Sequence, residues 1–192
     1  SKIESGKLEL NIEQHNVTEL AHQVIELVAY DSNAKNIKLN LHLDPDVPKI
    51  IHADYIRLKQ ILINLLSNAV KFTEKGKIDL SIELVEKQSE EAILRFSVKD
   101  TGIGIRKVNQ EKILEAFSQE DSYTTKKFGG TGLGLSISNK LLNLMNSRLQ
   151  LESAFEQGSE FFFEATFKTS DKLIFNQNPE KIKNTVLTLT GR

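Results

Sequence analysis

Hydrophobic residues recur along the chain with two different periods, and the longer period predicts helices. Apolar residues spaced three and four apart extend from Val17 to about Asn33 and from about Asp54 to Phe72. The same spacing predicts a short helix at residues 106–116 and another in "TGLGLSISNKLLNLMNS", which starts at Thr131. The helix at residues 54–72 is apolar over most of its circumference, so we expect it to be largely buried.

The shorter period, a strict alternation of apolar and polar residues, predicts strands with one buried face. It occurs in "KLNLHL", "GKIDLSIELVEK", "AILRFSVKD", "RLQLES" and "EFFFEATF". The polar "KQSEE" between the second and third of these segments predicts a hairpin. Helices and strands without a regular βαβ order predict an α+β fold, a two-layer sandwich in which helices pack on one face of a mixed, mostly antiparallel sheet.

Three segments lack both periods. Residues 1–14 mix charges with a short alternation and are interpreted as a linker, and residues 169–192 are interpreted as a tail or a second linker. Between them we predict one domain, residues 15–168. Inside it, residues 118–130 form a long polar loop, and such a loop in a compact domain is usually functional or else disordered.

Composition narrows the class of protein. A chain of 192 residues with 39% hydrophobic residues is long enough for one domain with a real core. Lys and Arg total 25 against 26 for Asp and Glu, so the overall charge indicates no nucleic-acid partner. Cys is absent, which excludes disulfides and fits a reducing compartment. No apolar run is long enough to span a bilayer, and no signal peptide is evident. We therefore expect a cytoplasmic domain without direct membrane contact. This expectation holds whether or not the parent protein is anchored in a membrane.

The predicted helix at residues 54–72 carries a narrow polar stripe. Ile56 belongs to its apolar face, whereas Asn64, Asn68 and Lys71 share one side at positions i, i+4 and i+7. A solvated face is the alternative interpretation, but Asn costs about 0.5 kcal/mol per helical position relative to Ala. Amide oxygens beside an ammonium group suit a hydrated Mg²⁺ ion and the phosphates that it carries.

A second candidate is "DTGIGI", which begins with Asp100 at the end of a predicted strand. Gly102 and Gly104 permit close approach or a positive φ at the sheet edge. An Asp followed by such glycines is most often only a turn. A buried carboxylate there can, however, accept a hydrogen bond from the exocyclic amine of adenine. That contact is worth about 1.5–3 kcal/mol and selects adenine over guanine.

A third candidate is "GGTGLGLSI", Gly129 to Ile137, which joins the polar loop to a helix. Glycines at a helix start leave backbone N–H groups free to face an anion, although glycine clusters are also common in turns. The segment is not a P-loop, because GxxxxGK[ST] is absent, and a charged loop rather than a strand precedes it, unlike a Rossmann motif. Protein-kinase signatures are absent too.

In this order, the three segments resemble the ATP-binding catalytic domain of sensor histidine kinases. That family shares the Bergerat-type fold with DNA gyrase, the Hsp90 chaperones and MutL, and the resemblance covers residues 15–168. "QILINLLSNAVKFTEKG" resembles its N box, "DTGIGI" its G1 box, "EAFSQED" its F box and "GGTGLGLSI" its G2 box. The resemblance implies Mg-ATP binding, transfer of the γ-phosphoryl group to a histidine, and signal transduction in a two-component phosphorelay.

The resemblance also implies roles for individual residues. Asn68 would hold Mg²⁺ with the help of Asn64, Lys71 would reach phosphate, and Asp100 would bind the adenine amine. Residues 118–130 would be the ATP lid. The other ATP-binding residues that it implies are Gly102, Gly104, Ile105, Phe117, Lys126, Lys127, Gly130, Thr131, Gly132, Leu133, Gly134 and Leu135. Lys126 or Lys127 stands where the family often has Arg, which keeps the charge but not the bidentate fork.

Asn64 bears on the choice between kinase and ATPase. Hydrolysing members of the superfamily carry a Glu one helical turn before the magnesium Asn, where it activates water. An amide cannot accept that proton, so the sequence favours transfer to another acceptor. A regulatory nucleotide-binding module without kinase activity is a further alternative, against which the intact boxes argue. Elsewhere, Asn146-Ser147 and Glu156 replace glycines of the family, in turns that we expect to spare the nucleotide site.

The phosphoryl acceptor is missing from the sequence. In the family it is a His followed by an acidic residue, whereas the four histidines here are followed by Asn, Gln, Leu and Ala. The expected partners are therefore the histidine-bearing dimerisation domain of the parent kinase and the receiver domain of a response regulator. On this interpretation, residues 1–14 are the end of a dimerisation helix and a linker.

Overall fold

The computed structural model describes residues 9–118 and 131–170. Two of its helices begin at capping side chains: Asn16 accepts a hydrogen bond from the Glu19 N–H at 3.1 Å, and Asp54 accepts one from the Arg57 N–H at 3.2 Å. The elements in chain order are β1 (Glu13–Asn16), α1 (Val17–Ala34), β2 (Lys38–Leu43), β3 (Ile50–Ala53), α2 (Tyr55–Phe72), β4 (Lys77–Lys87), β5 (Glu91–Asp100), α3 (Lys107–Ser118), α4 (Thr131–Leu144), β6 (Gln150–Ala154) and β7 (Gly158–Ser170).

The strands form one mixed sheet. Within the described residues it has seven strands, in the order β1-β3-β7-β5-β4-β2, and β6 also pairs with β7. β2 and β4 are parallel, and the other pairings are antiparallel. This order places β5, which ends at Asp100, between β4 and β7. The predicted α+β class with a mixed, mostly antiparallel sheet is confirmed.

The helices cover one face of the sheet. Ile78, Leu80 and Ile82 of β4 are buried in the core, while Asp79 and Ser81 alternate with them on the other face. α2 contacts α1, α4, β4 and β5, so it is the helix that joins the other elements. None of the helices within residues 9–118 and 131–170 has both the length and the hydropathy needed to cross a membrane.

Some details differ from the sequence-based expectations. β3 was not predicted, because a strand of four largely buried residues shows no alternation. β1 begins at Glu13, two residues inside the segment interpreted as a linker, and β7 extends to Ser170. Ile56 was expected to be buried but is 67% exposed, because it lies off the arc of α2 that faces the core. The buried residues of that arc are Leu58, Ile61, Leu62, Leu65, Leu66, Ala69 and Val70.

Candidate nucleotide-binding site

Asn64 lies in the middle of α2 and faces the beginning of α4. Its side-chain nitrogen donates to the Gly134 carbonyl oxygen at 3.4 Å and to the Ser138 hydroxyl oxygen at 3.2 Å. The Cβ position of Gly134 is 3.9 Å from the Asn64 Cγ, which is van der Waals contact. The structure therefore brings together Asn64 of the predicted N box and Gly134 of the predicted G2 box.

Asn68 and Lys71 continue the polar stripe toward the C-terminal end of α2. Asn68 is partly exposed, and its amide has no hydrogen-bond partner in the described part of the chain. Lys71 is exposed, with its ammonium nitrogen 5.9 Å from the centre of the Phe72 ring. Both side chains are thus available to a ligand, as a metal and phosphate site requires.

Asp100 is a buried carboxylate at the end of β5, with only 5% of its surface exposed. It accepts a hydrogen bond from the Gly102 N–H at 2.9 Å, and the backbone N–H of Ser159 also donates to it. Burial raises the pKa of the Asp100 carboxyl above its ordinary value, and these two hydrogen bonds oppose the rise. Little water competes at such a carboxylate for a polar group of a ligand.

The loop after Asp100 packs against the C-terminal end of α2. A Cβ at Gly102 would overlap the Phe72 carbonyl oxygen and would lie 3.0 Å from the Thr73 hydroxyl oxygen, so only glycine fits here without a shift. Because Lys71 directly precedes Phe72, the predicted phosphate-binding and adenine-binding segments meet at this end of α2.

The turn between β6 and β7 supports the same loop from another side. Gly104 has a φ of 68°, and a Cβ there would overlap the Ala154 carbonyl oxygen. The backbone N–H of Glu156 donates to the Ile103 carbonyl oxygen at 2.6 Å. The turn at Glu156 therefore contacts the loop after Asp100 through its backbone, and the expectation that the replacement of the family glycine spares the nucleotide site stays a prediction. Glu156, which stands where the family commonly has a glycine, adopts a φ of 65°.

The remaining predicted residues divide into three groups. Ile105 packs against the core, and Leu135 is buried in it. Thr131, Gly132 and Leu133 form the first turn of α4, whose backbone N–H groups have no acceptors within the helix and can face an anion. Lys126, Lys127, Gly130, the side chain of Phe117 and the predicted lid from residue 119 onward lie outside the described residues.

The donor atoms of the polar stripe fit Mg²⁺ by type. The described residues contain no group of three His, Cys, Asp or Glu side chains that could hold a metal ion. Amide oxygens are hard ligands that Mg²⁺ accepts together with water and phosphate oxygens. The hydrogen bonds of Asn64 engage only its nitrogen, which leaves its carbonyl oxygen for such a ligand role, and the Asn68 amide is unengaged.

A family model described as "Histidine kinase-, DNA gyrase B-, and HSP90-like ATPase" matches residues 53–169, more than half of the chain. The chain belongs to this family. The match begins directly before α2 and ends within β7, so it contains Asn64, Asn68, Asp100 and the α4 residues described above.

Within the family, the similar proteins are histidine kinases, and this chain is a histidine kinase catalytic domain. Hybrid signal transduction histidine kinase B of Dictyostelium discoideum is 39% identical over 163 residues, which are 85% of this chain and 8% of that protein. The crystal structure of full-length ShkA in complex with AMPPNP matches with a TM-score of 0.71 and 36% identity, over 85% of this chain and 32% of that chain.

The catalytic domain of histidine kinase ThkA matches along its entire length. Its TM-score is 0.65 and its identity 31%, over 84% of this chain and 100% of that chain. ThkA has also been solved in complex with the response regulator protein TrrA. The chain therefore corresponds to one domain of histidine kinases whose full lengths, as in hybrid kinase B and ShkA, are several times greater.

Proposed function

We propose that this catalytic domain binds Mg-ATP and transfers the γ-phosphoryl group to a histidine of a dimerisation domain outside the chain. The contacts of α2 carry the proposal. Asn64 meets Gly134 at the start of α4 at 3.4 Å, and Phe72, two turns further on, meets Gly102 beside Asp100. One helix thus joins the proposed anion site to a buried carboxylate, as a ligand with a base at one end and phosphates at the other requires.

Asp100 is the proposed anchor for adenine. Its buried carboxylate would accept a hydrogen bond from the exocyclic amine, and guanine presents a carbonyl oxygen at that position instead. Ile105, which is only partly buried, supplies apolar surface in the G1 segment. The combination of one charged acceptor with apolar surface is typical of sites that bind a flat heterocyclic base.

The polar stripe and the first turn of α4 are the proposed phosphate site. Asn68 and Asn64 would hold Mg²⁺, which when bound neutralises charge on the phosphate oxygens. Lys71 adds a second positive charge, and the N–H groups of residues 131–133 lie at the positive end of the dipole of α4. These groups bind and orient the triphosphate, which is the main contribution that a protein makes to phosphoryl transfer.

Asn64 favours transfer to a protein over hydrolysis. Its amide donates two hydrogen bonds to α4 and cannot accept a proton from water. A carboxylate at this position would place an oxygen against the Gly134 carbonyl and lose that hydrogen bond, and the Ser138 hydroxyl would have to turn and donate instead. The acceptor then belongs to another domain, and a response regulator receives the phosphoryl group from it. Because ATP is the donor, the proposal places the domain in the cytoplasm.

A fluorescent ATP analogue tests the site. Asp100→Ala should lower affinity about 10- to 100-fold with or without Mg²⁺, the equivalent of one hydrogen bond to a charged group. Asn68→Ala should lower affinity only when Mg²⁺ is present. Ser81→Ala, on the opposite face of the sheet, is the matched control and should bind as the wild type does. Binding that neither site substitution weakens would contradict the proposed site.

Phosphoryl transfer is tested by adding a histidine-bearing dimerisation domain and γ-labelled ATP. We expect an acid-labile phosphoprotein on the added domain, no label on the catalytic domain itself, and loss of the label when a receiver domain is added. Rapid release of free phosphate without any phosphoprotein would identify an ATPase instead. Nucleotide binding with neither product would identify a regulatory module.

A further inference from the structure

Gln110 is a polar residue in α3 whose side chain connects two other segments. Its Nε2 donates to the Ile105 carbonyl oxygen at 2.6 Å and to the Ser153 carbonyl oxygen at 2.9 Å. Both protons of the side-chain amide are therefore used, one on the loop after Asp100 and one on β6. The residue is only partly exposed, and none of the site motifs in the sequence contains it.

The peptide groups of Ile105 are held from two sides through this connection. The Ile105 N–H donates to the Ser153 hydroxyl oxygen at 2.9 Å, while its carbonyl oxygen accepts from Gln110. The Ser153 hydroxyl in turn donates to the Gly158 carbonyl oxygen at 2.9 Å. Since Gly104 immediately before Ile105 is in the left-handed region, the loop depends on such external hydrogen bonds for a single conformation.

We propose that Gln110 is a positioning residue for the base of the nucleotide. By fixing Ile105 to β6, its amide would keep the loop from Asp100 to Ile105 in the conformation that binds adenine before the ligand arrives. This inference rests on the proposed function, because it concerns the same pocket. It assigns to α3 a role in nucleotide affinity that does not involve contact with ATP.

The chemistry of the two acceptors explains why this position requires an amide. Two carbonyl oxygens 2.6 Å and 2.9 Å from one atom need a group with two protons. Glutamate has the same shape as glutamine, but its carboxylate would face both oxygens without a proton. Its neutral acid form would restore one of the two hydrogen bonds. Glutamate at this position should therefore make affinity depend on pH in a way that a simple loss of packing would not.

Three variants test the proposal by titration with a fluorescent ADP analogue and a fluorescent ATP analogue. Gln110→Ala should weaken both analogues by the same factor, about three- to tenfold, because the base end is affected and the γ-phosphate is not. Gln110→Glu should weaken both further at pH 7.5, and its affinity relative to the wild type should recover toward pH 5. Because Asp100 is present in the wild type too, dividing the affinity of the variant by that of the wild type at each pH cancels the effect of Asp100. Asn109→Ala, at the exposed neighbouring position, is the control and should change nothing.

Hydrogen exchange supplies the second measurement. In Gln110→Ala, the amides of residues 102–105 should exchange faster, whereas those of residues 94–98 in β5 should exchange as in the wild type.

Unchanged affinity in both Gln110 variants, with the wild type binding normally, would overturn the role of Gln110 alone. A loss for ATP but not ADP, or faster exchange throughout β5, would also overturn it. Failure of the wild type to bind either analogue would instead overturn the proposed function.

Discussion

At the scale of single residues, the proposed recognition of adenine depends on the negative charge of Asp100. Burial raises its pKa, against hydrogen bonds from the N–H groups of Gly102 and Ser159. We predict that affinity for ATP falls as the pH is lowered, because protonation of Asp100 removes a charge-assisted acceptor. The fall should occur at a higher pH than it would if this aspartate were exposed. Fluorescence titrations between about pH 7.5 and pH 5 measure this effect. Asp100→Asn, which cannot ionise, should bind weakly with no such dependence.

The same pKa predicts the opposite trend for folding without ligand. A folded pKa above the unfolded one means that the folded state binds the proton more readily between the two values. Asp100 therefore contributes most stability below its unfolded pKa, and this contribution is lost as pH rises through its folded pKa. The free energy of unfolding of the wild type, relative to Asp100→Asn, should decrease between about pH 4, near the ordinary aspartate pKa, and about pH 7.5 in urea denaturation. An increase over that range would show that the folded pKa is lowered.

Glu156 combines a left-handed backbone with a side chain that such a backbone disfavours. Its φ is 65°, and its N–H supports the loop at Ile103. We predict that Glu156→Gly raises the free energy of unfolding by about 0.5–1 kcal/mol, as the strain removed exceeds the greater unfolded-state entropy of glycine. Asn146→Gly, at a φ of 56°, should gain less, because Asn tolerates this region better. If urea denaturation shows that both substitutions change the free energy of unfolding equally, or that both lower it, the proposed strain at Glu156 would be contradicted.

At the scale of elements, the C-terminal end of α2 depends on the side chain of the residue that follows α1. Lys35, directly after α1, donates from its Nζ to the Val70 carbonyl oxygen at 2.7 Å and to the Lys71 carbonyl oxygen at 3.4 Å. Such carbonyls have no partner within the helix, and a cation there also faces the negative end of the helix dipole. Lys35→Met, which keeps the aliphatic stem, should lower the free energy of unfolding by about 1 kcal/mol.

Lys38→Met, at an exposed position of β2, is the matched control for this prediction. It removes the same charge without touching α2, so its unfolding free energy should stay within about 0.5 kcal/mol of the wild type. If both variants lose the same stability, net charge rather than the capping of α2 would explain the loss.

The elements of the site differ in how far the sequence could predict them. α2 and β5 each begin and end within about a residue of their predicted positions, because one buried face imposes a regular period on each. The contact of Glu156 with Ile103 could not be predicted in this way. The contact depends on β6 and β7 bringing two turns together. The polar residues of either turn give no information about its contact with the other. Gln110 was missed for the same reason, since its partners are backbone carbonyls rather than side chains.

At the scale of the whole molecule, the site and the core are parts of one packing unit. The buried cluster includes residues of α1, α2, α4 and the sheet, and the same helix that fills its centre carries Asn64 and Asn68 on its polar side. The amides of the proposed site therefore stand on a helix rather than on a loop, which limits their freedom before a ligand binds. This arrangement also means that ligand binding and global unfolding are coupled.

That coupling predicts how nucleotide changes thermal unfolding. Because the site residues come from α2, β5 and α4 around one core, residues 9–118 and 131–170 should unfold in one transition. An ATP analogue with Mg²⁺ at 100 times its Kd should stabilise the domain by about 2.7 kcal/mol, a rise in Tm of about 5–10 °C. Asp100→Ala at the same analogue concentration should show a smaller rise. Calorimetry in which the analogue shifted only one of two separate transitions would mean that α2 does not join the site to the core.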